Sequence, residues 1–133
     1  MSQQFLLDTN AISAILKNPS GTVANTARSV ANEDIFTSVI VACELMFGAQ
    51  KSPSVKLKRR IESLLETLTV EPLPQGFEKT YGQIRAAMEL KGFGISAMDL
   101  LIACHALVLG ATLVTDNTRE FSRVPGLQVV SWS

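Results

Sequence analysis

Four acidic residues lie within or directly after apolar stretches of this 133-residue sequence, where an unpaired charge is costly. Asp8 and Asp116 follow short apolar runs, whereas Glu44 and Asp99 lie inside longer apolar segments. Two carboxylates about 4 Å apart repel each other by roughly 4 kcal/mol at an effective dielectric constant near 20. If the fold brings these four together, a divalent cation would offset that repulsion. The pattern therefore predicts a site for a hard cation such as Mg²⁺ or Mn²⁺.

The hydrophobic pattern predicts the elements that must position these acids. Short apolar runs bounded by turn residues predict five strands, at residues 5–7, 35–38, 70–73, 112–115 and 127–132. Apolar residues spaced three and four apart predict helices at 10–17, 21–32, 39–50, 55–68, 77–90 and 97–109. This alternation predicts an α/β fold, with a parallel sheet covered by helices on both faces. Pro72 places the third strand at an edge, and the length suits a single domain over 1–133.

Such a sheet has a preferred place for an active site, at the carboxyl ends of its strands where the strand order reverses. Asp8 immediately follows the first strand and Asp116 the fourth. If these two strands are neighbours at the reversal, both carboxylates face one crevice. Glu44 and Asp99 would then reach the crevice from the adjoining helices.

Each acid also has an ordinary structural interpretation. Asp8 is a preferred residue for capping a helix. Ser96 and Asp99 have the spacing of a capping box, in which Asp99 reaches back to a backbone N–H. Asp116 and Asn117 could form a turn, and Asn117 is an alternative to Asp116 for the fourth position of the site.

The composition bounds the classes of function. Basic and acidic side chains number 12 each, so the chain is not a general polyanion binder, although this balance does not exclude a local basic patch. One histidine and two cysteines are too few for a zinc site of thiolates and imidazoles. Cys43 and Cys104 lie in apolar helical segments, which predicts two buried, reduced thiols. No apolar run approaches the ~20 residues of a membrane span and no signal peptide is evident, so we expect a soluble cytoplasmic protein without a membrane partner.

Taken together, the motifs resemble those of a known family. They are Leu-Leu-Asp8-Thr-Asn10, Ser38 with Glu44-Leu45, Ser96-x-x-Asp99, and Thr115-Asp116-Asn117 with Phe121. This series resembles the PIN-domain ribonucleases, and most closely the VapC toxins of bacterial toxin–antitoxin pairs. The resemblance covers essentially the whole chain. It implies a three-layer α/β/α fold around a central parallel sheet of about five strands.

For function, the resemblance implies a Mg²⁺- or Mn²⁺-dependent endoribonuclease that inhibits translation. The residues that would hold the metal are Asp8, Glu44, Asp99 and Asp116. The substrate would be structured RNA such as tRNA or rRNA, and the partners a neutralising VapB-type antitoxin and a second copy of the chain. Asn10, Ser38, Thr115 and Asn117 are candidates for orienting the ligands or contacting the substrate. The chemistry is consistent, because a bound metal activates water and neutralises charge on a phosphodiester.

Four further features bear on function, and two of them have more than one interpretation. A basic cluster (Lys56, Lys58, Arg59 and Arg60) is either a solvated helix face or a contact with the RNA backbone. His105 lies six residues after Asp99 and so off its helix face, which predicts a core or interface histidine and not a catalytic base. Residues 39–68 are more apolar than one helix face needs, which is either core packing or, by the resemblance, a groove for an antitoxin helix. The eight aromatic residues form no stacking platform, which favours recognition of a folded RNA.

Three competing functions remain at this stage. A phosphohydrolase of the haloacid-dehalogenase type would use Asp8 as its nucleophile, but it needs a second aspartate where Asn10 stands. A catalytically silent binding module gains nothing from four acids near its core. A PIN-fold nuclease that processes RNA without an antitoxin partner fits the same residues.

Overall fold

The computed structural model describes residues 3–133, which form one five-stranded sheet and its flanking helices. The strands are β1 (Phe5–Leu7), β2 (Ile35–Ser38), β3 (Thr69–Glu71), β4 (Thr112–Val114) and β5 (Val129–Val130). The helices are α1 (Thr9–Lys17), α2 (Thr22–Ser29), α3 (Val39–Lys51), α4 (Val55–Thr67), α5 (Phe77–Leu90), α6 (Ala97–Leu109) and α7 (Thr118–Phe121). The architecture is the predicted three-layer α/β/α arrangement.

The strand order is β3-β2-β1-β4-β5, and every neighbouring pair is parallel. The chain adds β2 and β3 on one side of β1, and β4 and β5 on the other. The order therefore reverses between β1 and β4, where Leu7 lies opposite Val114. The first and fourth strands are neighbours, which is the condition under which Asp8 and Asp116 share one crevice, and the predicted edge position of β3 is confirmed. The crevice outside the carboxyl ends of β1 and β4 is consequently the expected place for a site.

The core explains why these short strands hold their register. Leu6 and Leu7 of β1 and Leu113 and Val114 of β4 are almost completely buried, as strands covered on both faces must be. Helix α6 contributes a further buried run that includes Ile102. Full burial of one such side chain stabilises the fold by roughly 1.5–3 kcal/mol. The two strands that carry Asp8 and Asp116 at their ends are thus firmly anchored in the core.

Several element boundaries differ from the sequence prediction. Helix α2 ends at Ser29, three residues before its predicted end, and a 3₁₀ turn (Asn32–Asp34) then leads into β2. Strand β3 ends at Glu71, because Pro72 has no N–H to donate to a ladder. Strand β5 has only two residues, Val129 and Val130, instead of the predicted six.

Both cysteines are free thiols, as predicted, but only Cys104 is buried. The prediction that Cys43 is buried was wrong. Helix α3 is apolar on more than its core-facing side, so an apolar sequence context did not identify the buried positions. Among residues 3–133, no helix is both long and apolar enough to cross a bilayer.

Candidate active site at the carboxyl ends of β1 and β4

Asp8 directly follows β1, and its side chain begins helix α1. The carboxylate accepts a hydrogen bond from the backbone N–H of Ala11 at 2.8 Å, so Asp8 is the N-cap of α1. Only 3% of the residue is exposed. Burial raises the pKa of Asp8 to about 6; hydrogen bonds from Thr115 and Ala11 oppose that rise, and the charges of Asp99 and Asp116 add to it. Capping and participation in a charged site therefore coexist in this residue.

Glu44 reaches the same region from helix α3. It is half-buried, and its Oε1 atom accepts a hydrogen bond from the Thr9 hydroxyl at 2.5 Å. Thr9 is the first residue of α1 and the chain neighbour of Asp8. This bond therefore holds the Glu44 carboxylate beside the start of α1.

Asp99 lies in the first turn of α6, and the predicted cap at Ser96 is confirmed, since its hydroxyl accepts the Asp99 N–H at 3.1 Å. Burial raises the pKa of Asp99, a hydrogen bond from Ser96 lowers it, and the nearby charges of Glu120 and then Glu44 raise it. The largest charge effect on Asp99 thus comes from Glu120, a residue that the sequence analysis did not single out.

Glu120 belongs to α7, which the hydrophobic pattern did not predict because four residues are too few to show a helical period. The side-chain amide of Asn117 donates a hydrogen bond to the Glu120 carboxylate. The sequence does carry a signal: Glu120 stands four residues after Asp116 and in the first turn of a segment whose N-cap position is Asn117. We refer to Asp8, Glu44, Asp99, Asp116 and Glu120 as the acidic cluster.

Asp116 follows β4 and is exposed, and its Oδ1 atom accepts two hydrogen bonds from the segment after β5. The donors are the hydroxyls of Ser131 at 3.2 Å and Ser133 at 2.5 Å. Asn117, the alternative to Asp116 for the fourth position, instead donates hydrogen bonds from its side-chain amide to Glu120 and from its backbone N–H to the Thr115 hydroxyl. Asp116 is therefore the one of the two that adds negative charge beside Asp8.

The other candidate residues occupy different environments. Asn10 is exposed in the first turn of α1, beside Asp8. Thr115 is 1% exposed, and its hydroxyl donates a hydrogen bond to the Asp8 carboxylate and accepts one from the Asn117 N–H. Ser38 is completely buried, caps α3 through the Ile40 N–H, and also contacts His105. Its hydroxyl is committed to the core, so no face of it is left for a substrate.

His105 is a buried structural residue. Its Nδ1 lies 2.7 Å from the Ser38 hydroxyl and its Nε2 lies 3.1 Å from the Pro72 carbonyl oxygen. Its ring also meets Phe77 edge-on, with centroids 6.1 Å apart. Burial lowers the pKa of His105, which the contact with Pro72 and the charge of Glu71 partly oppose. The prediction of a satisfied core histidine is confirmed.

The acidic cluster has the donor chemistry of a hard-cation site. All five side chains offer carboxylate oxygens, which Mg²⁺ and Mn²⁺ accept. Within residues 3–133, however, no three Asp, Glu, His or Cys side chains lie close enough to hold an ion as they stand. A cation would offset the burial and repulsion that raise the pKa values of Asp8 and Asp99. The residues therefore fit such an ion by donor type and charge, without forming a closed cage.

An apolar groove of about 260 Å³ opens next to the acidic cluster. It lies between α1, α3 and α4, and its lining includes Thr9 and Glu44 at one end and Leu16, Leu45, Leu57 and Ile61 along its length. Gly48 of α3 also lines it, and a Cβ at that position would meet nothing within 4 Å. The groove is therefore open space that a side chain from elsewhere could enter.

Comparison with known proteins agrees with the geometry. Residues 5–127 match the PIN domain. The chain is 36% identical over 130 residues to ribonuclease VapC2 of Rickettsia felis, which covers 96% of this chain and 97% of that protein. It is 34% identical over 131 residues to the tRNA(fMet)-specific endonuclease VapC of Shigella flexneri, with 98% of each covered.

A solved structure shows the same relationship. The VapBC2 complex of Rickettsia felis, bound to a promoter DNA fragment, contains a chain that matches with a TM-score of 0.91 at 30% identity. The match covers 98% of this chain and all of that one. Sequence and fold thus agree over nearly the full length, and the chain belongs to the PIN-domain family, among the VapC ribonucleases.

Proposed function

We propose that this protein is a metal-dependent endoribonuclease toxin that hydrolyses phosphodiester bonds in structured RNA and is neutralised by a VapB-type antitoxin. The observation that carries the proposal is the buried Asp8 carboxylate at the β1–β4 reversal, whose pKa is raised to about 6 by burial and by the charges of Asp99 and Asp116. Helix capping by Asp8 does not require two further carboxylates nearby, whereas a site that binds a cation does require them.

The acidic cluster would hold the metal, and the surrounding residues keep its members in place. Thr115 and the first turn of α1 orient Asp8, Thr9 orients Glu44, and the Asn117 amide holds Glu120. When bound, Mg²⁺ or Mn²⁺ would supply an activated water and neutralise charge on the phosphate. Asn10, exposed beside Asp8, can donate a hydrogen bond to a phosphate oxygen.

For the substrate class, tRNA is the first candidate because one relative of this chain is named a tRNA(fMet)-specific endonuclease. The small number of aromatic residues also favours recognition of shape and phosphates over base stacking. A cytoplasmic location, where such RNA is found, follows from this substrate. The homodimer expected from the resemblance stays a prediction that light scattering would test.

The antitoxin would enter the apolar groove. Relatives of similar fold were solved as VapBC complexes, and the groove offers apolar side chains for a helix and Glu44 at its end for a basic residue. Gly48 lines the groove and a Cβ there would meet nothing within 4 Å, so the side chain of Gly48→Leu would extend into the groove; leucine also has a higher helix propensity than glycine, which favours α3. We expect this variant to lose binding of a co-expressed VapB-type protein in a pull-down assay while it unfolds at the wild-type temperature or above. Undiminished binding would remove the groove as the docking site.

The activity itself is tested by incubating purified protein with tRNA, in Mg²⁺ and in chelator. We expect cleavage by the wild type in Mg²⁺ alone, and a loss of at least 100-fold in the Asp8→Asn and Asp99→Asn variants. Glu33→Gln, an exposed acid in the 3₁₀ turn before β2, is the matched control and should cleave normally. Cleavage that persists in chelator, or in either aspartate variant, would refute the mechanism.

A further inference from the structure

A second groove, of about 730 Å³, lies between the end of α1 and helix α4. Its lining is mainly basic and apolar: Lys56, Arg59, Arg60, Ser63 and Thr67 together with Leu16, Val55 and Leu64. No acidic side chain lines it, and the two acids of α4, Glu62 and Glu66, lie outside it. We call it the basic groove. Because the chain as a whole has no net charge, this local excess of positive charge needs its own explanation.

Not all of the basic residues on α4 are available to a ligand. Arg60 donates a hydrogen bond to the Leu16 carbonyl at the end of α1, where it satisfies a helix C-terminus. Lys58 does not line the groove and contacts Gln50 at 3.4 Å. Lys56 and Arg59 are exposed, and the ion pair found among residues 3–133 is on another helix, α5. Lys56 and Arg59 therefore keep an unneutralised charge in the groove.

These two cations share a helix face with a hydroxyl group. Lys56, Arg59 and Ser63 stand at positions i, i+3 and i+7 of α4, which places them in one row about 10 Å long. Guanidinium, ammonium and hydroxyl groups are the side chains that contact phosphate oxygens in nucleic-acid complexes. A row of this kind suits a phosphate backbone better than a single small anion.

The basic groove adjoins the apolar groove, which ends at the acidic cluster. Leu16 lines both the basic groove and the apolar groove, and the apolar groove ends at Thr9 and Glu44. Lys17 also lines the apolar groove and adds a positive charge there. Asp8 and Leu16 stand at opposite ends of α1, about 12 Å apart along the helix axis. A strand cut at the acidic cluster could therefore extend along α1 and reach Lys56 and Arg59.

We propose that the basic groove binds backbone phosphates of the RNA substrate, with Lys56 and Arg59 as the principal contacts. This inference rests on the proposed ribonuclease function and assigns a substrate-binding surface to it. The charge is complementary to RNA, the row has the extent of a backbone contact, and Leu16 places the groove about 12 Å along α1 from Asp8. Each phosphate contact should also make the affinity depend on salt concentration.

The test measures binding of fluorescein-labelled tRNA(fMet) to the full-length Asp99→Asn protein, across a series of salt concentrations. We expect Lys56→Gln and Arg59→Gln each to weaken binding three- to tenfold at low salt, and each to reduce the slope of log affinity against log salt by about 0.7–0.9. Lys79→Gln, an exposed lysine on α5, is the control and should change neither quantity. Thermal unfolding of each variant should match that of the parent, since both side chains are exposed.

Cleavage kinetics with an otherwise wild-type chain separate this inference from the proposed function. The Lys56→Gln/Arg59→Gln double variant should show a raised KM with kcat unchanged, because the acidic cluster stays intact. Unchanged tRNA affinity and salt slope in the double variant would overturn the inference, even if cleavage still depends on Asp8 and Mg²⁺. So would a double variant that binds tRNA normally and loses only its affinity for a co-expressed antitoxin, since the groove would then be a protein-docking surface.

Discussion

Replacing Asp8 by Asn should make the protein more stable at neutral pH, although it removes a residue of the active site. The pKa of this carboxyl rises from 3.8 to about 6 on folding, which corresponds to about 3 kcal/mol of unfavourable free energy when the group is ionised. Asparagine is neutral, nearly the same size, and keeps an oxygen that can accept the Ala11 N–H. The substitution therefore removes the cost of the charge and retains the helix cap.

The pH dependence of this effect follows from the direction of the pKa change. Between pH 3.8 and 6 the folded state binds the Asp8 proton more tightly than the unfolded state does, so the penalty grows as the pH rises. It is complete above about pH 6 and absent below about pH 3.8. The stability advantage of Asp8→Asn should thus be about 3 kcal/mol at pH 7.5 and below about 1 kcal/mol at pH 4.

Urea denaturation of metal-free protein at these two pH values measures the advantage. Glu33→Gln removes the same charge from an exposed position and is expected to change the free energy of unfolding by less than 0.5 kcal/mol. Addition of Mg²⁺ should raise the stability of the wild type but not that of Asp8→Asn, since the cation needs the carboxylate. An Asp8→Asn protein that is no more stable than the wild type at pH 7.5 would refute the view that this carboxylate is held at a cost in free energy.

Four further substitutions test other parts of the structure. His105→Ala should cost about 2–4 kcal/mol in urea denaturation, because it opens a cavity and removes the contacts of the ring with the buried Ser38 hydroxyl and the Pro72 carbonyl. Since burial lowers the pKa of His105, the fold should also lose stability as the pH falls below about 6.5. When both proteins carry Asp8→Asn, the His105→Ala variant should lack that loss. Gly110→Ala should destabilise the fold by about 1 kcal/mol, because Gly110 ends α6 at a φ of 67°. Gly82→Ala within α5 should instead stabilise the fold by a similar amount, because alanine has the higher helix propensity. Equal effects of the two variants in thermal unfolding would contradict this. Glu120→Gln should lower the pKa of Asp99 in a ¹³C NMR titration of metal-free protein, and an unchanged value would show that the two carboxylates do not interact.

The sequence was sufficient to locate the strands and the reversal between β1 and β4. Each strand there is a short apolar run that parallel pairing buries on both faces, and Asp8 and Asp116 end those runs. Helix α6 was equally readable, because Ser96 and Gly110 carry clear start and stop signals for it.

What the sequence did not reveal are features that depend on tertiary position. Glu120 lies on a four-residue helix with no readable period, and only the fold places its charge beside Asp99. The hydrogen bonds from Ser131 and Ser133 to Asp116 cross from one strand end to the next and have no local signal. The burial of Ser38 likewise comes from its contact with a histidine 67 residues away.

Cation binding by the acidic cluster is tested most directly by titrating the metal-free protein with Mn²⁺ and measuring unbound Mn²⁺ by electron paramagnetic resonance. We predict saturable binding to the wild type and to Glu33→Gln, loss of that binding in Asp8→Asn and Asp99→Asn, and restoration of tRNA cleavage over the same range of Mn²⁺ concentration. Binding that is unchanged in the two aspartate variants, or cleavage without any bound cation, would contradict the assignment of these carboxylates as a metal-dependent ribonuclease site.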